Sequence, residues 1–167
     1  PDQLPRAIEI LKTIWLAEIT GPESVFVKRS LGAGSIVMFK SDSLYDNTPL
    51  RRLVQRYLRL EDLRASPTRL RIGRVSLQSG RYLTADNAAL TLEDVIASTA
   101  FPYYFEPVAI GGEPYADGGL RNVAPVETAF EMFRDHAPPL APRVLYAVLS
   151  SPTQVRLLPN IDILDDA

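Results

Sequence analysis

Glycine and proline punctuate this chain, and the runs between the breaks switch between helical and strand periods. Gly21-Pro22, Ser79-Gly80, Gly111-Gly112 and Gly118-Gly119 are the principal breaks. Ahead of the first, apolar side chains recur at Ala7, Ile8, Leu11, Ile14, Trp15 and Ile19, the spacing of one helix face. Thr48 offers an N-cap and Pro49 a first helical position for a helix to about Leu60, apolar at Leu50, Leu53, Val54, Tyr57 and Leu58 and basic at Arg51, Arg52, Arg56 and Arg59. Residues 70–77 and 81–84 read as two strands turning at Ser79-Gly80. Thr91 with Asp94 three residues on is a capping box, opening a helix that must stop near Pro102. Residues 108–110 and 113–116 form a second hairpin around Gly111-Gly112, followed by a helix from about Pro125 to Arg134 and an apolar strand over 144–149. Residues 25–39 read as loop with a short strand at 36–39, and 138–142 is the one linker-like stretch. Strands interleaved with helices, the last strand nearly all apolar, predict an α/β fold: a layered sheet with flanking helices. In such sheets functional groups sit where strands end and helices begin.

A chain of 167 residues can bury one core, so a single domain over 1–167 is the expectation. Hydrophobic residues make up 46% of it, yet no apolar run approaches the roughly 20 residues of a membrane helix. With no cysteine, disulfides, thiolate metal sites and a cysteine nucleophile are excluded. One histidine, His136, assembles no metal cluster, and at the end of a predicted helix its cation would suit the dipole. Neither a metal nor an organic cofactor is implied. Nine arginines lie between Arg51 and Arg81 against Glu61 and Asp62. They form either a solvated face or a surface for peripheral contact with an anionic membrane. No nucleic-acid reading module accompanies them.

The stretch YADGGLRNVAPV, residues 115–126, places Asp117 at the end of a strand, before two glycines and a proline-started helix. The spacing alone leaves two roles open. Asp117 either hydrogen-bonds the turn amides, as Asx turns do, or presents a fixed carboxylate to a reacting group.

Three segments taken together resemble the patatin-like phospholipase family: LYDNTPLRRLV (44–54), ASTAFPYYFEPVAIGG (97–112) and YADGGLRNVAPV. The likeness runs from the first helix to about Ala129. It implies an α/β-hydrolase-related fold and a lipid acyl hydrolase working through a serine–aspartate dyad, in which a serine on a strand-to-helix elbow attacks the ester and an aspartate accepts its proton. By position Asp117 would be that base, with Gly118 and Gly119 shaping its turn. Phe101, Tyr103, Tyr104 and Phe105 would either wall an acyl-chain path or fill the core. Asn122 matches an asparagine common after the family's glycines, or caps the following helix. The implied partner is a lipid or other acyl ester, and the implied location the cytoplasm or a membrane periphery.

The family's other half is missing. An elbow G-x-S-x-G needs small residues on both sides of the serine. Ser30 has Gly32 after it but Lys28 before, and Ser35 has Ala33 and Val37 at the two positions. Gly32-Ala33-Gly34 is too short for the oxyanion loop. The expectation is therefore an incomplete, N-terminally truncated patatin-like domain whose nucleophile is not in this chain, and a chain inactive by itself. A non-catalytic patatin-fold interaction or lipid-binding module is the rival. An aspartic protease dyad is disfavoured because Gly118 stands where that family has Thr or Ser.

Overall fold

The computed structural model describes residues 3–29, 43–136 and 142–148. The chain divides into two compact units, Pro1–Asn122 and Val123–Ala167. In the first, helix α1 (Gln3–Thr13) runs into a π-helical turn, Ile14–Glu18, closed by the amide of Ile19 on the carbonyl of Ile14 at 2.9 Å. A short antiparallel ladder joins β1 (Val27–Lys28) to β2 (Tyr45–Asp46). Helices α2 (Thr48–Tyr57) and α3 (Leu60–Ala65) follow. Then come β3 (Arg71–Ser76), β4 (Tyr82–Asp86), α4 (Leu92–Ala97), β5 (Val108–Ile110) and β6 (Glu113–Asp117). The second unit holds α5 (Val126–His136).

The fold is mixed α and β with two small antiparallel sheets. The larger has the order β4-β3-β6-β5, so two hairpins lie side by side and β3 pairs with β6. Both hairpins turn on glycines in the left-handed region, Gly80 at φ 68° and Gly111 and Gly112 at 61° and 85°. The expected strand over 144–149 does not form: residues 142–148 carry neither helix nor strand, and Leu149 lies outside the described residues, as do the loop strand at 36–39 and most of the linker at 138–142. An apolar run alone does not distinguish a strand from an extended segment without a pairing partner.

The buried centre is small. Ile96, Ala97, Ala100, Val108 and Tyr115 form one cluster, and Val54, Leu83, Leu92, Phe105 and Ile110 pack against it. The apolar face predicted for the first helix is not part of it: Ala7, Ile8, Leu11 and Trp15 are exposed, the last three by 43%, 54% and 65%, and only Ile14 and Ile19 are half-buried.

Polar groups fix how α4 meets the sheet. Thr91 and Asp94 make the predicted capping box, Thr91 Oγ1 accepting from the Asp94 amide at 3.2 Å while Asp94 Oδ2 accepts from the Thr91 amide at 2.8 Å. Asp94 Oδ1 accepts from Arg74 of β3, and the two side chains are only 4% and 15% exposed. The Arg74 guanidinium also lies 4.8 Å from the centre of the Tyr115 ring. Nearby, Glu113 accepts from the hydroxyls of Ser76 and Tyr115, the latter at 2.7 Å, and Ser76 itself is fully buried. Asn87, buried, accepts from the Leu70 amide and donates to the carbonyls of Leu63 and Thr68, tying α3 to the start of β3.

The N-cap of α2 falls on Asn47, one residue before the expected Thr48, because Asp46 Oδ1 already accepts from the Thr48 amide at 2.7 Å. That helix ends at Tyr57 instead of Leu60, where Leu58 turns to the extended region with ψ 113°. Its basic face is partly engaged: Arg51 pairs with Glu93 at 3.3 Å and Arg56 with Glu18 at 2.6 Å. Tyr57 also donates to Glu18 at 3.0 Å.

Removing one partner of a buried ion pair strands the other charge, so Asp94→Ala should cost about 3–5 kcal/mol, cap included. In urea denaturation of the full chain, Arg74→Met combined with Asp94→Asn should lose clearly less than the sum of the two single changes. Hydrogen bonds from Ser76 and then Tyr115 hold the Glu113 carboxyl below its ordinary pKa. A depressed carboxylate stabilises the fold fully above its unfolded value, about 4.3, and that contribution is lost as pH falls through the folded value. The urea midpoint of the native chain should therefore drop more steeply below about pH 4.3 than that of Glu113→Gln.

Candidate active site

Asp117 is the last residue of β6 and the N-cap of a single 3-10 turn, Gly118–Leu120. Its backbone amide donates to the carbonyl of Ala100 at 3.0 Å, and in the ladder it stands opposite Arg74. Its Oδ1 accepts from the Gly119 amide at 2.7 Å. The Asx-type bond left open by the sequence is thus present. It occupies one oxygen; Oδ2 accepts no hydrogen bond among the described residues. The side chain is half-buried, neither sealed inside nor turned fully to solvent. One fixed oxygen and one unengaged oxygen is an arrangement that orients a carboxylate while leaving it able to accept a proton.

The two glycines differ in what they permit. Gly118 is buried, and a Cβ there would fall 2.7 Å from the carbonyl carbon and oxygen of Gly73 and 3.1 Å from the Tyr82 ring. The turn packs directly on the β3 backbone, which no side chain would allow. A Cβ at Gly119 would stand 3.1 Å from Asp117 Oδ1, crowding the oxygen its own amide binds. After the turn, the amides of Arg121 and Asn122 both donate to the Gly118 carbonyl, at 3.1 and 2.9 Å. Asn122 does not cap α5, which begins four residues later, and Pro125 stands just before that helix instead of opening it.

The segment from Phe101 to Phe105 starts one residue beyond the carbonyl that holds the Asp117 amide. Phe105 is partly buried and packs on the core cluster. Phe101, Tyr103 and Tyr104 are exposed. Two further rings, unremarked in the sequence reading, complete the group: Phe26 meets Tyr45 at 5.1 Å and Phe105 at 5.8 Å, and Tyr45 stacks on Tyr104 at 6.2 Å. Tyr45 lies within the 44–54 segment quoted above, but only the pairing of β1 with β2 brings Phe26 to it.

A polar cleft of about 440 Å³ opens where β2, the start of α2 and α4 meet β5 and the loop leading into it, lined by Arg29, Arg51, Glu93, Ile96 and Glu106 among others. Asp117 is not among its walls. Among the described residues no group of three or more histidine, aspartate or glutamate side chains is placed to hold a metal ion, and no helix is long and apolar enough to cross a membrane. His136 is the last residue of α5, in the unit that does not contain Asp117.

The family model for patatin-like phospholipase matches residues 8–130, a span that begins within α1 and includes both sheets and the Asp117 turn. No curated protein and no solved structure matches the chain. A match over most of the sequence, carrying the helix, the hairpins and the turn in order, means that this chain belongs to the patatin-like phospholipase family, whose members are lipid acyl hydrolases.

Proposed function

We propose that Asp117 is the general base of a serine–aspartate dyad that hydrolyses acyl esters of lipids, and that the serine and the oxyanion donors come from polypeptide outside these 167 residues. The carboxylate supports this reading most: Gly119 fixes one oxygen at 2.7 Å, and the other stands without a hydrogen bond among the described residues. In the first step the serine hydroxyl gives its proton to Asp117 as Oγ bonds to the ester carbonyl carbon. The leaving alcohol takes that proton back, and an acyl-serine remains. Water then repeats the sequence, releasing the fatty acid and regenerating the serine.

Two observations favour a nucleophile supplied from elsewhere. No serine of the sequence has the elbow pattern. The apolar stripe of α1 is exposed, as expected of a helix whose packing partner is not among these residues. In this proposal the completed domain is the layered α/β sheet of the sequence expectation, and Phe101 and Tyr104 stand at the mouth of the acyl path. The missing elbow also motivates a second reading, a lipid-binding module of the same fold without chemistry.

The 167-residue chain should release no p-nitrophenol from p-nitrophenyl esters. In a longer form carrying an in-frame G-x-S-x-G, a fluorophosphonate probe should label the elbow serine, and Asp117→Asn should lower kcat by about 10²–10⁴-fold. Labelling and turnover unchanged by Asp117→Asn would remove Asp117 from the mechanism. A gene without an upstream elbow would leave the binding module.

A further inference from the structure

The aromatic segment after α4 has a backbone that is fixed and strained at once. The amides of Leu44 and Tyr45 donate to the carbonyls of Tyr103 and Tyr104 at 3.0 and 2.9 Å, and the Phe105 amide donates to the Phe101 carbonyl at 3.0 Å. Between these anchors Tyr103 takes φ 75°, a left-handed conformation that bulky residues rarely adopt. It is the one non-glycine with positive φ among the described residues. Tyr103 is 70% exposed, and its ring makes an edge contact with that of Tyr104 at 5.7 Å. Phe101 and Tyr104, 45% and 46% exposed, continue the same surface, with their rings 6.1 Å apart. Packing does not explain why an aromatic residue is held there, since glycine would fit the backbone better. Residues kept in sparsely populated conformations concentrate at functional sites.

We propose that Phe101, Tyr103 and Tyr104 form the surface by which this protein seats on a bilayer containing anionic lipid. Tyrosine rings carry an apolar body and a polar tip, the combination that settles at the headgroup level of a membrane. The local charge suits an anionic headgroup. Glu106, next to the aromatic run, is paired with Arg29 at 2.7 Å. Lys28, opposite Tyr45 in the β1–β2 ladder, offers an exposed ammonium. The basic face of α2 is less suited to this role, because Arg51 and Arg56 are engaged with Glu93 and Glu18. The surface also lies next to the candidate base, through the bond from the Asp117 amide to Ala100. The proposal rests on the acyl-hydrolase reading for the source of the substrate; adsorption itself needs no turnover.

The test is co-sedimentation of the full chain with vesicles of phosphatidylcholine and of an equal mixture with phosphatidylglycerol. The native chain should pellet with the mixed vesicles. Tyr103→Gly, which suits the left-handed backbone and should leave the melting temperature equal or higher, should weaken binding several-fold. Adding Phe101→Ser should weaken it about tenfold or more, since adsorption scales with the apolar area inserted. Trp15→Ser in the π-helical turn and Asp117→Asn should bind as the native chain does. A native chain that stays in the supernatant overturns the proposal, as does a double variant that still pellets, or a loss on Trp15→Ser alone. Adsorption without turnover in a form carrying the elbow would sink the hydrolase reading and leave this surface standing; turnover without adsorption would do the reverse.

Discussion

The carboxylate of Asp94 accepts from the amide and hydroxyl of Thr91 and from the guanidinium of Arg74, in a setting almost closed to water. Two ions taken out of solvent need their hydrogen bonds filled, and on this pair it is the Asp94 carboxylate that is filled while the buried Arg74 Nε has no partner among the described residues; the carboxylate's bonds tie α4 to the sheet. From that placement the rest follows in order. The helix delivers Ile96, Ala97 and Ala100 to the core, and the carbonyl of Ala100 meets the amide of Asp117. On the other side, Arg74 covers the Tyr115 ring and stands opposite Asp117 in the ladder. The end of β6 is therefore located by a helix cap and a strand cation as well as by its own pairing.

The features legible in the sequence are those whose cause is local. The capping box at Thr91, the glycine turns at 80 and 111–112 and the start of α2 each depend on residues within one turn of each other, and each formed where expected to within a residue. The Asp-Gly-Gly turn belongs to this class, because the bond from Gly119 to Asp117 spans two positions. Features depending on distant partners were not legible. The pairing of β3 with β6, the meeting of Phe26 with Tyr45 and the link from Arg74 to Asp94 join positions that no period connects. The apolar run at 144–148 shows the same limit from the other side, since hydrophobicity supplied a strand pattern and no ladder formed. For the first helix the period held as far as Thr13, where the chain passes into a π-helical turn, and Ala7, Ile8 and Leu11 on it face outward.

The surface of the first unit divides by chemistry. Around α2 the charges are largely matched in ion pairs to α4 and to the π-turn. Around residues 101–104 the exposed groups are rings, fixed by backbone bonds to β2 and the residues before it. Rigid aromatic groups lose little freedom on contact, so such a rim suits repeated, reversible encounters better than flexible apolar side chains would.

Gly118 lies against the Gly73 main chain and beside the Tyr82 ring. Trimming Tyr82 would not make room for a side chain at 118, because the nearest obstacles are backbone atoms of the adjacent strand. The first glycine of the motif is thus dictated by packing, independently of any chemistry at Asp117. If Asp117 serves as the proposed base, a descendant that abandoned hydrolysis would keep Gly118 while residue 117 drifted, so persistence of the glycine would testify to the architecture alone and the acidic neighbour to the chemistry.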